Sequence, residues 1–586
     1  MSETTEKYIE NLLQKSAKQV YKDIPEHLEI SAVFDVVHPK EEFGDYASNM
    51  PLVLAKQLKM KPQEIGEKII AELKKLDVQK LFGEVYFAAG FINFRLSQGF
   101  LFKNLSKILE QGDLYGCSII GAGKKVVFEY SSPNTNKPLH IGHTRNDTYG
   151  MACINLLKSQ GYKVVSCEII NDRGIHIMKS VLMYMKFGQG KTPESEKVKP
   201  DHFVGRFYQM FAAEAAKSEA AEKELLEEAQ TLLQKWEAGD PEVRKVWQQM
   251  NQWFFAGVKA TYEREGSLFD EVDYESEIYD KGRDLVLEGV KKGLFEKEPD
   301  GGVVIDLSNE GLDKKYLLRK DGTTLYITQD VYLWHLRDEK HHPEFALVTT
   351  SAEQAYHFKV LGKVFEKLNF PWAKNFRHLP YEHVFLGNSK MSSREGNTIT
   401  ADELVEKVKG RIREVMNSSE RVKASANNDK LVESIAFGAI KYGYLKYEPN
   451  TRIYFDLDST ISIEGNTGPY IQYAHARISS ILKKTPELKR SAASLKILEP
   501  AELGLARKLL HFGEIIEFAA KDYKPNLLCN YLFELASLFN RFYQEAPVLQ
   551  EKNDELKSFR LNLITATAQV IRNGLYLLGI EAPEEM

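Results

Sequence analysis

Four cysteines, Cys117, Cys153, Cys167 and Cys529, are all that the 586 residues contain, and no two of them form a CxxC pair. That spacing speaks against both a disulfide framework and a cysteine-built zinc site, and the thiols are expected to be buried. Long apolar runs are missing too: nowhere do about 18 consecutive apolar residues occur, so no membrane-spanning helix is expected. The opening MSETTEKYIENLLQKS is charged and amphipathic rather than an apolar secretory segment. A soluble, intracellular, cytoplasmic protein is the expectation. Positive charge is also scarce, since 78 Lys and Arg against 83 Asp and Glu leave a formal net charge of −5. A chain-wide basic field is therefore absent, and any contact with nucleic acid must follow a local basic track.

Apolar and periodic sequence is plentiful. With 43% hydrophobic residues over this length, three domains or more are expected. Residues 1–112 read as an α+β module, with a helix-patterned start at Tyr8, Leu12 and Leu13, helices near Pro51 to Leu76, and the strand pair VYFAAGFINFRL from Val85 to Leu96. The second domain, 113–464, opens with the strand KKVVFEY, then a polar loop, then a helix marked by Tyr149, Cys153, Leu156 and Leu157. Gly161 closes that helix before a second strand, YKVVSCEII. Such alternation predicts a doubly wound, Rossmann-like parallel sheet with its ligand site at the carboxyl ends of the strands. From about 185 to 301 the alternation gives way to a charge-dense helical insertion packed through Leu225, Leu232, Leu233 and Trp236. Further on, Asp321-Gly322 signals a hairpin, Tyr326 and Asp330 share a helix face, and Thr400 with Glu403 forms a capping box. Residues 465–586 carry stripes such as Leu505, Leu509, Phe512, Ile516 and Leu532, Leu535, Phe539, Phe542, the pattern of an all-α bundle.

The loop from Ser131 to Asn146, SSPNTNKPLHIGHTRN, joins the first strand to the helix. A helix start offers unpaired N–H groups and the positive end of its dipole, which suits a phosphate. His140 and His143 flank that position, and Gly142, lacking a side chain, lets a phosphate come close to the backbone. Two histidines three apart also fit plain solvent exposure or metal ligation. No further ligands stand at suitable spacing, so no metal site in the protein is expected.

His140-Ile141-Gly142-His143 matches the HIGH signature of class I aminoacyl-tRNA synthetases, and KMSSREGN, Lys390 to Asn397, resembles their KMSKS signature. FGDYASNM (Phe43 to Met50), GFINFRL, EGNTGPYIQYAHARI (Glu464 to Ile478) and the terminal YLLGIEAPEEM resemble the N-terminal and anticodon-binding domains of arginyl-tRNA synthetases. The resemblance runs nearly end to end. It implies ATP-dependent activation of L-arginine and transfer to tRNA(Arg), with ATP as substrate accompanied by Mg2+, no tightly bound cofactor, a monomeric chain, and activation that requires bound tRNA. By the same resemblance, residues 1–112 touch the outer corner of the tRNA, about 185–301 form the connective insertion, and 386–430 form the KMSKS-like loop and its helix.

The resemblance also implies roles for residues. His140, Gly142 and His143 bind ATP together with Lys390, Met391 and Ser392, and Lys390 meets the leaving pyrophosphate. Ser393 stands where the signature has its second lysine, and Lys137 is the cation that replaces it. Glu129 and Asp330 are a carboxylate pair suited to a planar guanidinium. Asn134 and Gln354 then hold the amino and carboxylate end of arginine, and Tyr326 packs on its side chain. Leaving charged groups unpaired rejects wrong amino acids strongly, so no editing domain is expected. A class I synthetase for another amino acid, or a non-catalytic synthetase-like tRNA-binding protein, are the competing readings.

Overall fold

A computed structural model of the chain describes residues 4–21, 34–39, 41–77, 80–386, 399–418, 423–485 and 498–586. The first module holds α1 (Thr5–Val20), β1 (Val36–Val37), β2 (Tyr46–Ser48), α2 (Met50–Leu58), α3 (Pro62–Leu76), β3 (Phe82–Ala88), β4 (Phe91–Leu96) and α4 (Gln98–Gln111). Its strands form an antiparallel sheet in the order β1-β2-β4-β3. The β3–β4 turn is two residues long, and both, Ala89 at φ 52° and Gly90 at φ 90°, take the positive φ that matches strand twist in tight hairpins.

The second region begins with β5 (Lys125–Glu129), α5 (Ile141–Ser159), β6 (Lys163–Ile170) and α6 (Ile175–Phe187). A helical excursion follows through α7 (Pro193–Glu196), α8 (Pro200–Ala215), α9 (Glu219–Glu237) and α10 (Pro241–Glu265). Then β7 (Glu271–Tyr274) returns to the sheet, α11 (Glu275–Ile278) and α12 (Gly282–Lys291) follow, and β8 (Glu296–Lys297), β9 (Val303–Ile305) and β10 (Lys315–Leu318) make a small antiparallel sheet. Next come α13 (Tyr326–His341), β11 (Phe345–Ser351), α14 (Ala355–Lys367), β12 (Phe376–Tyr381), β13 (Val384–Leu386), α15 (Ala401–Asn417), α16 (Asp429–Leu445), β14 (Ile453–Phe455) and α17 (Leu457–Ile461).

The main sheet is wholly parallel in the order β12-β11-β5-β6-β7. Its central strand is nearly continuous apolar sequence, with Val126, Val127 and Phe128 buried, because helices cover both faces. From β5 the chain winds one way to β6 and β7 and the other way to β11 and β12, so the topological switch lies between β5 and β11. The crevice there, beyond Glu129 and Ser351, is where such folds bind ligands.

Two local expectations are corrected. The stretch 185–301 is not one helical insertion, because β7 pairs with β6, Ile170 opposite Tyr274, as an edge of the main sheet. Four mostly polar residues, Glu-Val-Asp-Tyr, leave no apolar run to signal a strand. At Asp321-Gly322 the chain does turn, with Gly322 at φ 79°, but the returning arm is a single bridge, Leu318 to Thr324, before α13 begins.

The C-terminal bundle comprises α18 (Gly468–Lys483), α19 (Pro500–Leu510), α20 (Phe512–Lys521), α21 (Pro525–Glu545) and α22 (Asp554–Leu577). Both predicted apolar stripes are buried in it. The N-terminal module packs directly on this bundle: Phe102 meets Phe559 edge-on at 5.2 Å, and Arg507 Nε lies 2.9 Å from Asp45 Oδ1. The four thiols are free, three of them buried and Cys117 half-buried. Among the described residues no helix is long and apolar enough to cross a membrane.

Candidate active site

Two consecutive serines leave β5 in the left-handed region, Ser131 at φ 64° and Ser132 at φ 57°. Such backbone costs about 1–3 kcal/mol per residue and persists only where its surroundings hold it. Here Ser132 Oγ accepts from Ile169 N at 3.2 Å, Asn171 Nδ2 donates to Ser132 O at 3.2 Å, and Ser131 Oγ meets Tyr262 OH at 2.8 Å. The strained turn throws the loop across the carboxyl edge of the sheet, towards the start of α5.

His140 is the N-cap of α5. Its Nδ1 accepts from Gly142 N at 3.2 Å, while His143 Nδ1 accepts from His140 N at 3.1 Å. Each imidazole therefore spends its lone pair on the helix start and carries its proton on Nε2. Burial, then the neighbouring Lys137, lowers the His140 pKa to about 3; burial, then His140 and Lys137, holds His143 well below its ordinary value. Both rings are neutral donors near pH 7. Lys137 Nζ lies 3.5 Å from His140 Nε2, so an ammonium and a ring N–H address one point, an arrangement suited to an anionic oxygen. Burial lowers the Lys137 pKa as well. A Cβ on Gly142 would stand 3.1 Å from His140 Cε1, so this glycine makes room for the capping imidazole itself.

Lys390, Met391 and Ser392 lie outside the described residues, as does Ser393. The backbone just after them is fastened to the HIGH loop: Thr400 bridges His140, Ile141 N donates to Ile399 O at 3.3 Å, and Ala401 N to Leu139 O at 2.9 Å. The Thr400–Glu403 capping box starts α15 there.

The two carboxylates each have a partner in the fold. Glu129 Oε2 takes a hydrogen bond from Arg337, which is fully buried and reaches Asp273 Oδ2 from Nε at 3.0 Å. Burial raises the Glu129 pKa and Arg337 lowers it. The sheet interior therefore already supplies this carboxylate with a guanidinium. Asp330, one turn into α13, accepts from His357 Nε2 at 2.6 Å. Two other carboxylates feel its charge, which raises their pKa values: Glu129 and the buried Glu275, at the start of α11. Burial raises Glu275 to about 7, Arg173 opposes this, and Asp172 and Asp330 raise it further. Glu275 follows β7 directly, at the carboxyl end of a parallel strand, and reading 185–301 as helical insertion concealed that signal.

Tyr326 opens α13 and is 73% exposed. Asn134 bridges Asn171 in the loop, Gln354 lies between β11 and α14, and both side chains are exposed. Gln354 follows β11 by three residues and Asn134 follows β5 by five, so both come after the carboxyl ends of the two strands that flank the switch point.

Comparison with known proteins agrees with this architecture. Residues 104–457 match the family model for the class I (R) tRNA synthetase catalytic domain, 471–586 the DALR anticodon binding domain, and 7–96 the arginyl tRNA synthetase N-terminal domain. The arginine-tRNA ligase of Bacteroides thetaiotaomicron is 38% identical over 567 residues, covering 93% of this chain and 94% of that protein. The arginine-tRNA ligase of Treponema denticola is 39% identical over 576 residues, covering 96% of each. The solved Thermus thermophilus arginyl-tRNA synthetase superposes with a TM-score of 0.80 at 25% identity, covering all of both chains. The Plasmodium falciparum enzyme shares the fold, with a TM-score of 0.79 at 22% identity over 100% of this chain and 99% of that one. With its catalytic, N-terminal and helical parts all matched, the chain belongs to the arginyl-tRNA synthetase family of class I aminoacyl-tRNA ligases.

Proposed function

We propose that this enzyme joins L-arginine to ATP and then charges tRNA(Arg). In the first step an arginine carboxylate oxygen attacks the α-phosphorus of ATP, the bond to the β-phosphate oxygen breaks, and pyrophosphate leaves. In the second a hydroxyl of the 3′-terminal ribose attacks the arginyl carbonyl carbon and AMP departs. No protein nucleophile is needed, so catalysis rests on positioning and charge stabilisation.

The observation that carries this reading is the HIGH motif at the start of α5, just beyond the carboxyl end of β5 in the parallel sheet, where His140 caps the helix beside Lys137. His140 Nε2–H and Lys137 Nζ converge on one point, which suits phosphate oxygens whose charge grows in the transition state. Asp330 lies in the field of two other carboxylates, Glu129 and Glu275, and a planar guanidinium can take bidentate bonds from such a group. Asn134 and Gln354 would hold the amino and carboxylate groups, and Tyr326 would cover the aliphatic stem. Lys390, with Met391 and Ser392, would close on the leaving pyrophosphate, and Lys137 supplies the positive charge that Ser393 lacks. ATP enters as its Mg2+ complex, the chain works as a cytoplasmic monomer, and activation awaits bound tRNA.

The test is pyrophosphate exchange by the purified chain with each amino acid in turn, tRNA present. Arginine alone should support it. Removing one partner of a desolvated charge pair costs about 2–5 kcal/mol, so Asp330→Asn and Glu275→Gln should each raise the arginine KM by roughly 30-fold or more. An unchanged KM in both variants overturns the pocket.

A further inference from the structure

His38, His511 and Glu514 come from opposite ends of the chain and meet where the N-terminal module packs on the helical bundle. Their ligand atoms all lie within 4.8 Å of one another. Glu514 Oε2 is 3.3 Å from His38 Nε2 and 3.2 Å from His511 Nδ1. With metal–nitrogen bonds of about 2.0–2.1 Å, the edge of a tetrahedron around zinc is about 3.3 Å. Both measured separations match that edge.

The surroundings resemble the outer shell that metal ligands usually have. Glu514 Oε1 is turned away by two donors, Tyr46 OH at 2.9 Å and Glu6 N at 3.0 Å, which leaves Oε2 to the imidazoles. His38 Nδ1 lies 3.3 Å from the Asp45 carbonyl, and a proton donated there puts the free lone pair on Nε2. Glu6 belongs to the first turn of α1, whose dipole favours the carboxylate. The His38 side chain is 40% exposed and leaves an entry path, while that of Glu514 is only 3% exposed.

A second cluster, Asp201, His202 and Asp402, satisfies the same distance test but is already balanced by cations. Lys199 Nζ lies 2.6 Å from Asp402 Oδ2 and 3.3 Å from Asp201 Oδ2, and Arg264 NH1 lies 3.1 Å from Asp402 Oδ1. The charged partners of Glu514 are instead two imidazoles, groups that exchange a proton for a metal.

We infer that His38 Nε2, His511 Nδ1 and Glu514 Oε2 form a binding site for a divalent transition-metal ion of the zinc type. The ion is tetrahedral with water as its fourth ligand, and it clamps the N-terminal module to the helical bundle. Three nitrogen and oxygen ligands of this kind favour Zn2+ over Mg2+ or Ca2+, which take oxygen shells.

The experiment uses the full chain, stripped with chelator and titrated at neutral pH with Zn2+ by calorimetry and with Co2+ by visible absorption. One equivalent should bind, with the intense d–d bands of tetrahedral Co2+, and Zn2+ should raise Tm. His511→Ala and His38→Ala should each weaken binding at least tenfold and abolish the Tm shift, while His202→Ala leaves both unchanged. If His511→Ala fails to fold, the exposed His38→Ala alone carries the test. Absent tetrahedral bands, or an affinity in His38→Ala equal to the parent's, overturns the site.

Discussion

Thr400 pairs with His140 in an antiparallel bridge, flanked by the Ala401 N to Leu139 O bond of 2.9 Å. The chain just after the second signature is thereby anchored to the first. Proline at 401 tests this coupling. Ala401 is the first residue of α15, a position that accepts proline, and Thr400 before it is already extended at φ −70° and ψ 159°. Ala401→Pro should keep the helix but remove the donor to Leu139 and push the two segments apart. Pyrophosphate exchange should fall by about tenfold or more, with arginine binding intact and little change in Tm. Undiminished exchange would show the bridge to be incidental.

Lys137→Ala removes the ammonium 3.5 Å from His140 Nε2. Loss of one preorganised donor to developing charge typically costs about 10²–10³ in rate. The rate of activation should drop on that scale while the arginine KM stays nearly constant, because the proposed role of Lys137 is to meet the phosphates and not the arginine. Single-turnover kinetics with and without saturating ATP separate the two effects.

Arg337 has no exposed side-chain surface and bonds to both Glu129 and Asp273. Arg337→Met leaves two desolvated carboxylates unpaired and should destabilise the fold by about 3–5 kcal/mol. Adding Glu129→Gln and Asp273→Asn should recover most of that loss. Thermal unfolding of the single and triple variants reads the difference, and equal losses in both would refute the pairing account.

Glu168, buried on β6, accepts from Tyr262 OH at 2.8 Å and so supports the partner of Ser131. Burial raises its pKa to about 8, against a small lowering from Tyr262. The folded state then holds a proton that the unfolded chain releases above its ordinary value near 4.5. Its contribution to stability is whole below that value and declines as pH rises towards about 8. Glu168→Gln, neutral at every pH, should flatten the fall in Tm between about pH 5 and 8. Parallel curves for parent and variant would contradict the shift.

Much of the fold was legible because its signals are local. The buried run Val126 to Phe128, the Thr400–Glu403 box and the stripe from Leu505 to Ile516 each sit within a few turns of chain, where spacing reports burial directly. The strand β7 was not legible, since four polar-flanked residues at a sheet edge need no apolar period. Its concealment hid Glu275 as well.

By itself the sequence determined the family and the place of its HIGH motif, His140 to His143, at a helix start after a polar loop. These belong to contiguous motifs, whose geometry follows from a helix start and a short loop. Only the tertiary structure decided the partners of the charges. It gave Glu129 to Arg337, 208 residues away, brought Asp330 within the field of Glu129 and Glu275, and brought His38 to His511 and Glu514. The physical reason is that a carboxylate's neighbour is chosen by packing and desolvation among strands and helices remote in the chain, which no periodicity along it records.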